Sequence, residues 1–332
     1  MRLRKWDNGS LCQRVAGKAD DALRYLSRNG LSATWYKVLE KLRKKETNPY
    51  GKWREKYQTK PEELARQRET HLQKEPLFSI AVPLYRTDPG YLRELIASVQ
   101  AQTYGNWQLC LADGSASEPS DPLAELTGIL EEYAAADARI RYVALPENLG
   151  ISGNTNAAIS LAKGDFLVLA DHDDVLAPDA LYELAAAVNR EPEADMLYTD
   201  EDKVSMDGKK YFEPHFKPDF NLDLLCSVNY ICHLFAVRRD VAERVGEFRK
   251  EYEGAQDLDY ILRCSECAKK IVHVPKILYH WRSHMNSTAA NPESKRYAFE
   301  AGKCAIEDHY RRLKIPAHVE HGAFYGMYRT VY

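Results

Sequence analysis

Three carboxylates stand close together in the segment FLVLADHDDVLAP, residues 166–178. Asp171 and Asp173 are two positions apart and Asp174 follows directly, after an apolar run typical of a buried strand. Two carboxylates at a strand end suit Mg²⁺ or Mn²⁺, which prefer oxygen ligands and often bind substrate phosphates as well. The spacing therefore indicates metal-assisted chemistry on a phosphate-bearing molecule. The same residues also fit a solvated acidic turn, with Asp174 or Asp179 as a helix cap.

A further acid with catalytic potential lies in EGAQDLDYILR. Asp257 falls at the start of a predicted helix, where backbone N–H groups stabilise a negative charge. A carboxylate in that position can deprotonate a hydroxyl, or it can simply cap the helix. Asp259, two residues further on, is the alternative base.

The segment YHWRSHMNS combines cationic, polar and aromatic side chains. Arg282 and Ser287 can donate hydrogen bonds to a departing diphosphate, and an imidazole can join a metal or a phosphate. His280 and His284 are the two candidates for such a ligand, and a buried structural histidine is the alternative. Trp281 suits either packing in the core or a flat contact surface for a bound substrate.

From Pro76 onward, strand-like and helix-like patterns alternate with short loops. Five apolar runs predict strands: LFSIAVPLY, WQLCLADGS, IRYVALPENLG, DFLVLADHDD and ADMLYTDEDKV. The alternation predicts an α/β fold with a mostly parallel, doubly wound sheet and helices on both faces. Ligands of such sheets bind at the carboxyl ends of the strands, which is where the polar tails of these segments fall.

The composition narrows the class of protein. The 332 residues are 45% hydrophobic and 29% charged, and the net charge of −3 argues against nucleic-acid binding. The sequence shows neither an apolar run of membrane-spanning length nor a secretory leader, so we expect a cytoplasmic protein. Its seven cysteines are expected to be reduced, because Cys264 and Cys267 have no second ligand pair at zinc-site spacing.

Residues 1–75 are rich in lysine and arginine and are predicted to form a helical N-terminal segment. Trp35, Val38, Leu39 and Leu42 share one predicted helix face, and the pattern is expected to break at 49–51. The basic face is either solvated or a dock for a partner or for the inner face of the membrane.

Residues 76 to about 290 resemble family 2 glycosyltransferases, which have the GT-A fold. The motifs that carry the resemblance occur in the family's order: FSIAVPLYRT, LRELIASVQAQTYGNWQL, DGS, NLGISGNTNAAISLAKGDFLVLADHDD, YTDEDK, GAQDLDYILR and VPKILYHWRSHMNS. The resemblance implies an inverting, Mn²⁺- or Mg²⁺-dependent transfer of a sugar from a nucleotide-diphosphate sugar to a hydroxyl of a glycan or lipid-linked oligosaccharide in cell-surface polysaccharide synthesis. A UDP-sugar is favoured over a dTDP-sugar as the donor.

The resemblance also implies a role for each matching residue. Asp257 would be the catalytic base, although Gln256 stands where Glu is commoner, and Asp171, Asp173 and His280 would hold the metal. Donor-binding roles fall on Pro83, Tyr85, Asp113, Asn148, Gly150, Asn154, Asp171, Arg282 and Ser287. The family usually has two adjacent acids where this chain has Ala112-Asp113. The acceptor side would comprise Asp200, Glu201, Asp202, Asn229, His233 and Trp281.

The predicted organisation is therefore a basic helical segment (1–75), a glycosyltransferase domain (76–310) and a tail or linker (311–332). Two other functions also fit parts of the sequence. One is a nucleotide-sugar-binding or scaffold module without turnover. The other is a phosphohydrolase of the haloacid dehalogenase type, although its Asp-x-Asp pair normally follows the first strand and not the fourth.

Overall fold

The computed structural model describes residues 49–115, 121–283 and 296–332. Thr59–Tyr332 form one compact unit, and Pro49–Gln58 are the described part of another. The chain thus divides at a different place from the predicted boundary at residue 75. The predicted helix around Trp35 lies outside the described residues. At 49–51, where a break was expected, a helix instead begins, because proline is well tolerated in the first turn.

The described helices lie at the ends of the chain and between the strands. They are α1 (Pro49–Tyr57), α2 (Pro61–Glu69), α3 (Pro89–Gln100), α4 (Asp121–Ala136), α5 (Gly150–Ser160), α6 (Ala180–Arg190), α7 (Leu222–Leu225), α8 (Arg239–Val245), α9 (Gln256–Cys267) and α10 (Arg296–Arg312). None of these is long and apolar enough to cross a membrane.

Eleven strands occur in the described part of the chain. They are β1 (Phe78–Leu84), β2 (Trp107–Asp113), β3 (Ile140–Ala144), β4 (Phe166–Leu169), β5 (Val175–Leu176), β6 (Met196–Val204), β7 (Tyr211–His215), β8 (Phe235–Arg238), β9 (Ile271–Arg282), β10 (His318–His321) and β11 (Tyr328–Val331). The five strands predicted from the sequence correspond to β1, β2, β3, β4 and β6.

Nine of these strands form one sheet in the order β3-β2-β1-β4-β8-β6-β9-β5, with β7 paired to β6. The strands β3, β2, β1 and β4 are parallel neighbours, and β6 and β9 run in the same direction. The strands β5, β7 and β8 run the opposite way. The predicted mostly parallel α/β sheet is therefore confirmed, with a mixed half that the sequence pattern did not show.

Side chains from the two faces of the sheet enter two separate cores. On β1, Ile80 and Val82 pack with residues of α3 and α6, such as Leu92. Ala81 points to the other face and belongs to a cluster with residues of α5, α9 and α10, such as Leu262. The alternation follows from the two-residue period of a strand, and it confirms that helices cover both faces.

The chain after residue 310, which was predicted to be a tail or linker, has regular structure. The helix α10 continues to Arg312, and β10 and β11 then form an antiparallel hairpin. The Tyr328 backbone N–H donates to the carbonyl of Ser227, and Tyr328 is only 7% exposed. The hairpin is therefore a packed part of the compact unit.

Candidate active site

A cleft of about 1420 Å³ opens at the carboxyl ends of β1, β4 and β6. Its walls bring together most of the side chains predicted from the sequence. These are Pro83, Tyr85, Asn148, Asn154, Asp171, Asp173, Glu201, Asp202, Asn229, His233, Asp257, Trp281 and Arg282. Parallel strands explain the convergence, because their carboxyl ends lie at one edge of the sheet. Ser287 and His284 lie outside the described residues.

The acidic loop between β4 and β5 separates its carboxylates into two environments. Asp171 and Asp173 are partly exposed on the cleft wall, whereas Asp174 is fully buried. Asp174 accepts hydrogen bonds from the Tyr279 hydroxyl at 2.6 Å and from the Arg282 backbone N–H at 2.7 Å. Burial, together with the charges of Asp173 and Asp171, raises the pKa of Asp174 well above its usual value. Asp174 therefore fixes the loop to β9 and is not the helix cap considered above.

The other candidate cap, Asp179, does precede α6, but its side chain makes no capping hydrogen bond. Its carboxylate instead accepts from the Thr59 hydroxyl at 2.5 Å. The side chain thus ties the start of the compact unit to the segment after β5.

Arg282 was predicted to contact the diphosphate, but in this structure its guanidinium holds the acidic loop. Its Nε donates to the carbonyl of Asp173 at 2.6 Å and its Nη1 to the carbonyl of Met206 at 3.0 Å. Its Nη2 donates to Glu94, and the guanidinium lies 4.5 Å from the centre of the Tyr91 ring. The buried guanidinium thus holds the backbone of Asp173 through Nε and ties it to Met206 and Glu94.

His233 faces the acidic loop from the segment that precedes β8. Its Nε2 lies 3.3 Å from Asp171 Oδ2, and its ring stacks on Tyr279 with the centroids 4.8 Å apart. Burial alone would lower the pKa of His233, but its neighbours Cys232 and Asp171 outweigh it and raise that pKa well above the usual range. For Asp171, burial is likewise outweighed by His233, so the pKa of this carboxyl is lowered. Each group of the pair therefore favours the charged form of the other.

Asp257 lies in the first turn of α9 and is partly exposed to the cleft. Its Oδ2 accepts hydrogen bonds from Asn229 Nδ2 at 2.8 Å and from Cys232 Sγ at 3.4 Å. The residue that caps α9 is Ala255, so Asp257 is not the cap. The alternative base, Asp259, is 0% exposed and bound by Arg249 and Arg263, which makes it a structural residue.

The loop before α5 forms the edge of the cleft next to β1. Asn154 donates to Asn148 Oδ1 at 3.0 Å and accepts from the Leu149 N–H at 3.1 Å. Gly150 has φ +77°, and a Cβ there would lie 2.0 Å from Glu253 Oε1, so another residue would be strained and would clash. Gly150 does not line the cleft itself, but it permits the turn that brings the two asparagines together.

Asp113, predicted to contact the base or ribose, is 1% exposed and does not line the cleft. Its Oδ1 accepts from the backbone N–H of Ser115 at 2.9 Å and from its hydroxyl at 2.5 Å. In this structure, Asp113 stabilises the turn after β2, and the neighbouring Ala112 adds no second acid.

The acidic side chains of β6 also differ in position: some are buried away from the cleft and others line it. Asp200 does not line the cleft, because it is buried and accepts from His273 Nε2 at 2.8 Å. Glu201 lines the cleft and is bound by the buried Lys217 at 3.2 Å. Burial would raise the pKa of Glu201, but the hydrogen bond with His215 and the charge of Lys217 lower it.

His280, predicted as a metal ligand, does not line the cleft. Its Nδ1 lies 2.5 Å from Asp202 Oδ1, and its ring makes an edge contact with Tyr211. Asp202 does line the cleft, so His280 positions a carboxylate of the cleft wall. This is the structural histidine that the sequence left open as the alternative.

Three buried polar atoms on residues of the cleft wall have no hydrogen-bond partner in the described structure: His172 Nδ1, His233 Nδ1 and Glu253 Oε1. Buried polar groups are nearly always satisfied, so each of these atoms is a candidate position for a bound ligand or water. The sequence reasoning did not select His172, Glu253 or Cys232. The position of His172 between Asp171 and Asp173 was the available signal.

The carboxylates of the cleft wall suit a divalent cation that takes most of its other ligands from the substrate. Among the described residues, no group of three or more His, Cys, Asp or Glu side chains is arranged to hold a metal. Asp171 and Asp173 nevertheless offer carboxylate oxygens at the cleft wall, and Mg²⁺ is often held by one or two carboxylates with phosphate oxygens and water. The six cysteines within the described residues are free thiols.

This fold and cleft define the class of protein. Residues 79–246 match the family model described as glycosyl transferase family 2, and the chain belongs to that family. The chain is 43% identical over 265 residues to uncharacterized protein y4gI of Sinorhizobium fredii, covering 79% of this chain and 28% of the relative. It is 36% identical over 248 residues to O-antigen biosynthesis protein RfbC of Myxococcus xanthus, covering 75% of this chain and 19% of the relative.

Among solved structures, Staphylococcus aureus TarS 1-349 in complex with UDP-GlcNAc matches with a TM-score of 0.55 and 20% identity, covering 70% of this chain and 66% of that one. This likeness confirms the GT-A fold. The chain spans less than a third of the length of the two curated relatives.

Proposed function

We propose that this protein transfers a sugar from a nucleotide-diphosphate sugar, a UDP-sugar in preference to a dTDP-sugar, to a hydroxyl of a glycan or lipid-linked acceptor. The transfer inverts the anomeric centre in one displacement. Family membership supports glycosyl transfer and gives no support to the phosphohydrolase alternative. The observation that carries the proposal is the single cleft in which Asp171 and Asp173 share a wall with Asp257.

Asp257 acts as the base in this proposal. Its carboxylate takes the proton of the acceptor hydroxyl while that oxygen forms a bond to the anomeric carbon. The bond between the anomeric carbon and the diphosphate oxygen breaks, and the nucleoside diphosphate leaves with that electron pair. Asn229 and Cys232 donate to Oδ2 of Asp257, which holds the carboxylate in place for the proton transfer.

The acidic loop binds the departing diphosphate. Mn²⁺ or Mg²⁺ held by Asp171 and Asp173 would neutralise the charge that develops on the leaving group. The protein's own contribution is to hold the loop rigidly, through Asp174 on Tyr279 and through Arg282 on the carbonyl of Asp173. His233 contacts Asp171 from the cleft wall and holds this carboxylate in place.

The name of RfbC, an O-antigen biosynthesis protein, supports a role in cell-surface polysaccharide synthesis. UDP-GlcNAc bound by TarS supports a UDP-sugar donor. The proposed location is cytoplasmic, with the basic segment 1–75 meeting the inner face of the membrane or a partner where lipid-linked acceptors are presented.

Calorimetry of UDP and dTDP, each with and without Mn²⁺, tests the donor site. We expect the wild type to bind UDP more tightly than dTDP and only with the metal, and Asp173→Ala to lose that binding. Asp240→Ala is the matched control, because Asp240 is an exposed carboxylate on α8 that does not line the cleft. UDP binding that ignores both the metal and Asp173 would contradict the proposed donor site.

A turnover assay separates catalysis from binding. Incubation with UDP-sugars and a glycan acceptor should release UDP and lengthen the acceptor, and NMR of the product should show the inverted anomer. If UDP binds tightly but no UDP-sugar is consumed, the protein is instead a binding module without turnover.

A further inference from the structure

The C-terminal elements place aromatic side chains along the cleft. Tyr297 and Phe299 belong to α10, and Tyr325 belongs to the loop between β10 and β11; together they are called the aromatic patch. Tyr297 is 59% exposed and Tyr325 is 52% exposed, although both line the cleft. Large aromatic side chains left open to solvent at the wall of a cleft mark a binding surface.

The aromatic patch is a built feature. The rings of Phe299 and Tyr325 stack with centroids 5.0 Å apart and an angle of 22° between their planes. The turn that brings Tyr325 over Phe299 depends on Gly326, whose φ is +78° and whose hydrogen points at Phe299 Cε1. The two elements therefore present one continuous aromatic surface.

The hairpin that carries Tyr325 is fixed to α10. The Tyr328 hydroxyl donates to the carbonyl of Phe299 at 3.0 Å and lies so close to Gly302 that a Cβ there would be 2.2 Å from it. On the other side, Met327 pairs with Val228. Both anchors hold the position of the aromatic patch relative to the rest of the cleft.

The aromatic patch lies next to the proposed base. A Cβ on Gly254, three residues before Asp257, would be 2.8 Å from Tyr297 Cε2. Val228, the partner of the hairpin, directly precedes Asn229, whose side chain binds Asp257. The patch is thus adjacent to the end of the cleft where the acceptor hydroxyl must be deprotonated.

We propose that the aromatic patch is an acceptor subsite that stacks on a pyranose ring of the acceptor glycan. The inference rests on the proposed function and names the residues and the substrate chemistry of its acceptor side. A pyranose has apolar C–H faces and hydroxyl edges, and it needs flat apolar surfaces beside polar groups. Phe299 and Tyr325 supply the flat surface, and Asn229 and Gln256 line the same cleft with polar groups.

Saturation-transfer NMR with simple glycosides tests the subsite. The probes are methyl glycosides of glucose, galactose, mannose and N-acetylglucosamine and the β-1,4-linked disaccharides of glucose and N-acetylglucosamine, added to the full chain with UDP and Mn²⁺. We expect at least one probe to bind the wild type, and Tyr325→Ala to weaken that binding about threefold to tenfold, as the loss of one aromatic contact predicts.

Phe324→Ala is the matched control, because Phe324 is the neighbouring residue, is 71% exposed and does not line the cleft. Phe299→Leu provides a second test on α10, and thermal melting shows that each variant is folded. The control should bind the probes like the wild type, and calorimetry should give all four proteins the same affinity for UDP.

Two outcomes overturn the subsite while the proposed donor site stands: UDP binds but no probe does, or Tyr325→Ala and Phe324→Ala behave alike. Binding of phosphatidylglycerol vesicles that requires Tyr325, with no glycoside bound, would also overturn it in favour of a membrane contact. If glycosides bind through Tyr325 but UDP does not bind the wild type, the proposed donor site fails and the subsite stands.

Discussion

Replacement of Arg282 separates two roles for this residue: direct contact with the diphosphate, expected from the sequence, and positioning of the acidic loop, indicated by the structure. Arg282→Met removes the donors to the carbonyls of Asp173 and Met206 without opening a large cavity. We expect this variant to be less stable and to bind UDP and Mn²⁺ more weakly, because the loop that carries Asp173 loses its support.

The size of the stability loss follows from the burial of the residue. Arg282 is 0% exposed, and a hydrogen bond that involves a charged group contributes about 1.5–3 kcal/mol. Two such bonds predict a loss of about 3–6 kcal/mol. For a unit of this size, that corresponds to a fall in Tm of roughly 6–15 °C. The ion pair with Glu94 contributes little to the free energy of unfolding, because the Glu94 side chain is 50% exposed.

Urea unfolding and calorimetry of UDP with Mn²⁺ measure the two effects on the same samples. Arg282→Lys keeps the charge but loses the planar arrangement of donors, so it should lose both stability and affinity. Glu94→Gln is the control for the exposed ion pair, and it should stay within about 1 kcal/mol of the wild type. Loss of UDP affinity in Arg282→Lys at wild-type stability would refute the positioning role and favour direct contact with the diphosphate.

Three further predictions concern the base, the hairpin and the stability at low pH. Asp257→Asn should lower turnover about 10²–10⁴-fold with unchanged UDP affinity, measured by UDP release and calorimetry, and full activity would remove Asp257 as the base. Gly302→Ala should push the hairpin away from α10 and so weaken glycoside binding in the NMR assay, whereas unchanged binding would show that the hairpin does not need this contact. Burial alone would raise the pKa of Glu266, but His309 and Arg312 lower it, so its ionised form stabilises the fold above pH about 4.5 and this contribution is lost as the pH falls below that value. The Tm difference between wild type and Glu266→Gln should therefore shrink from pH 6 to pH 3, and a constant difference would contradict the assigned pKa shift.

Local sequence patterns were sufficient to predict the parallel half of the sheet and the helices that connect its strands. The apolar run of β4 and the spacing of Leu92, Leu95 and Ile96 on α3 each follow from the period of a strand or a helix, and the structure has both elements. The order of the motifs was sufficient to identify the family. The same patterns placed Asp171, Asp173 and Asp257 as candidates, and the structure brings all three to one cleft, while their catalytic roles remain predictions.

Residue type alone could not distinguish a side chain that faces the cleft from one that holds the cleft together. Asp200, His280 and Arg282 have the chemistry of ligands, yet each is buried and bound to another part of the chain. The partners of Arg282 include Glu94, 188 residues away along the chain. No local pattern contains such a pairing.

The sequence by itself determined the order of the five predicted strands and the helices between them, the family, and the edge of the sheet at which polar residues would collect. All of these depend on short-range periodicity or on ordered motifs. Only the tertiary structure decided that Asp174 is a buried anchor while Asp173 faces the cleft, and that residues after 310 form a hairpin whose Tyr325 reaches the cleft wall. Burial and long-range contact set the role of each polar group, and both arise only when segments distant in the chain pack together.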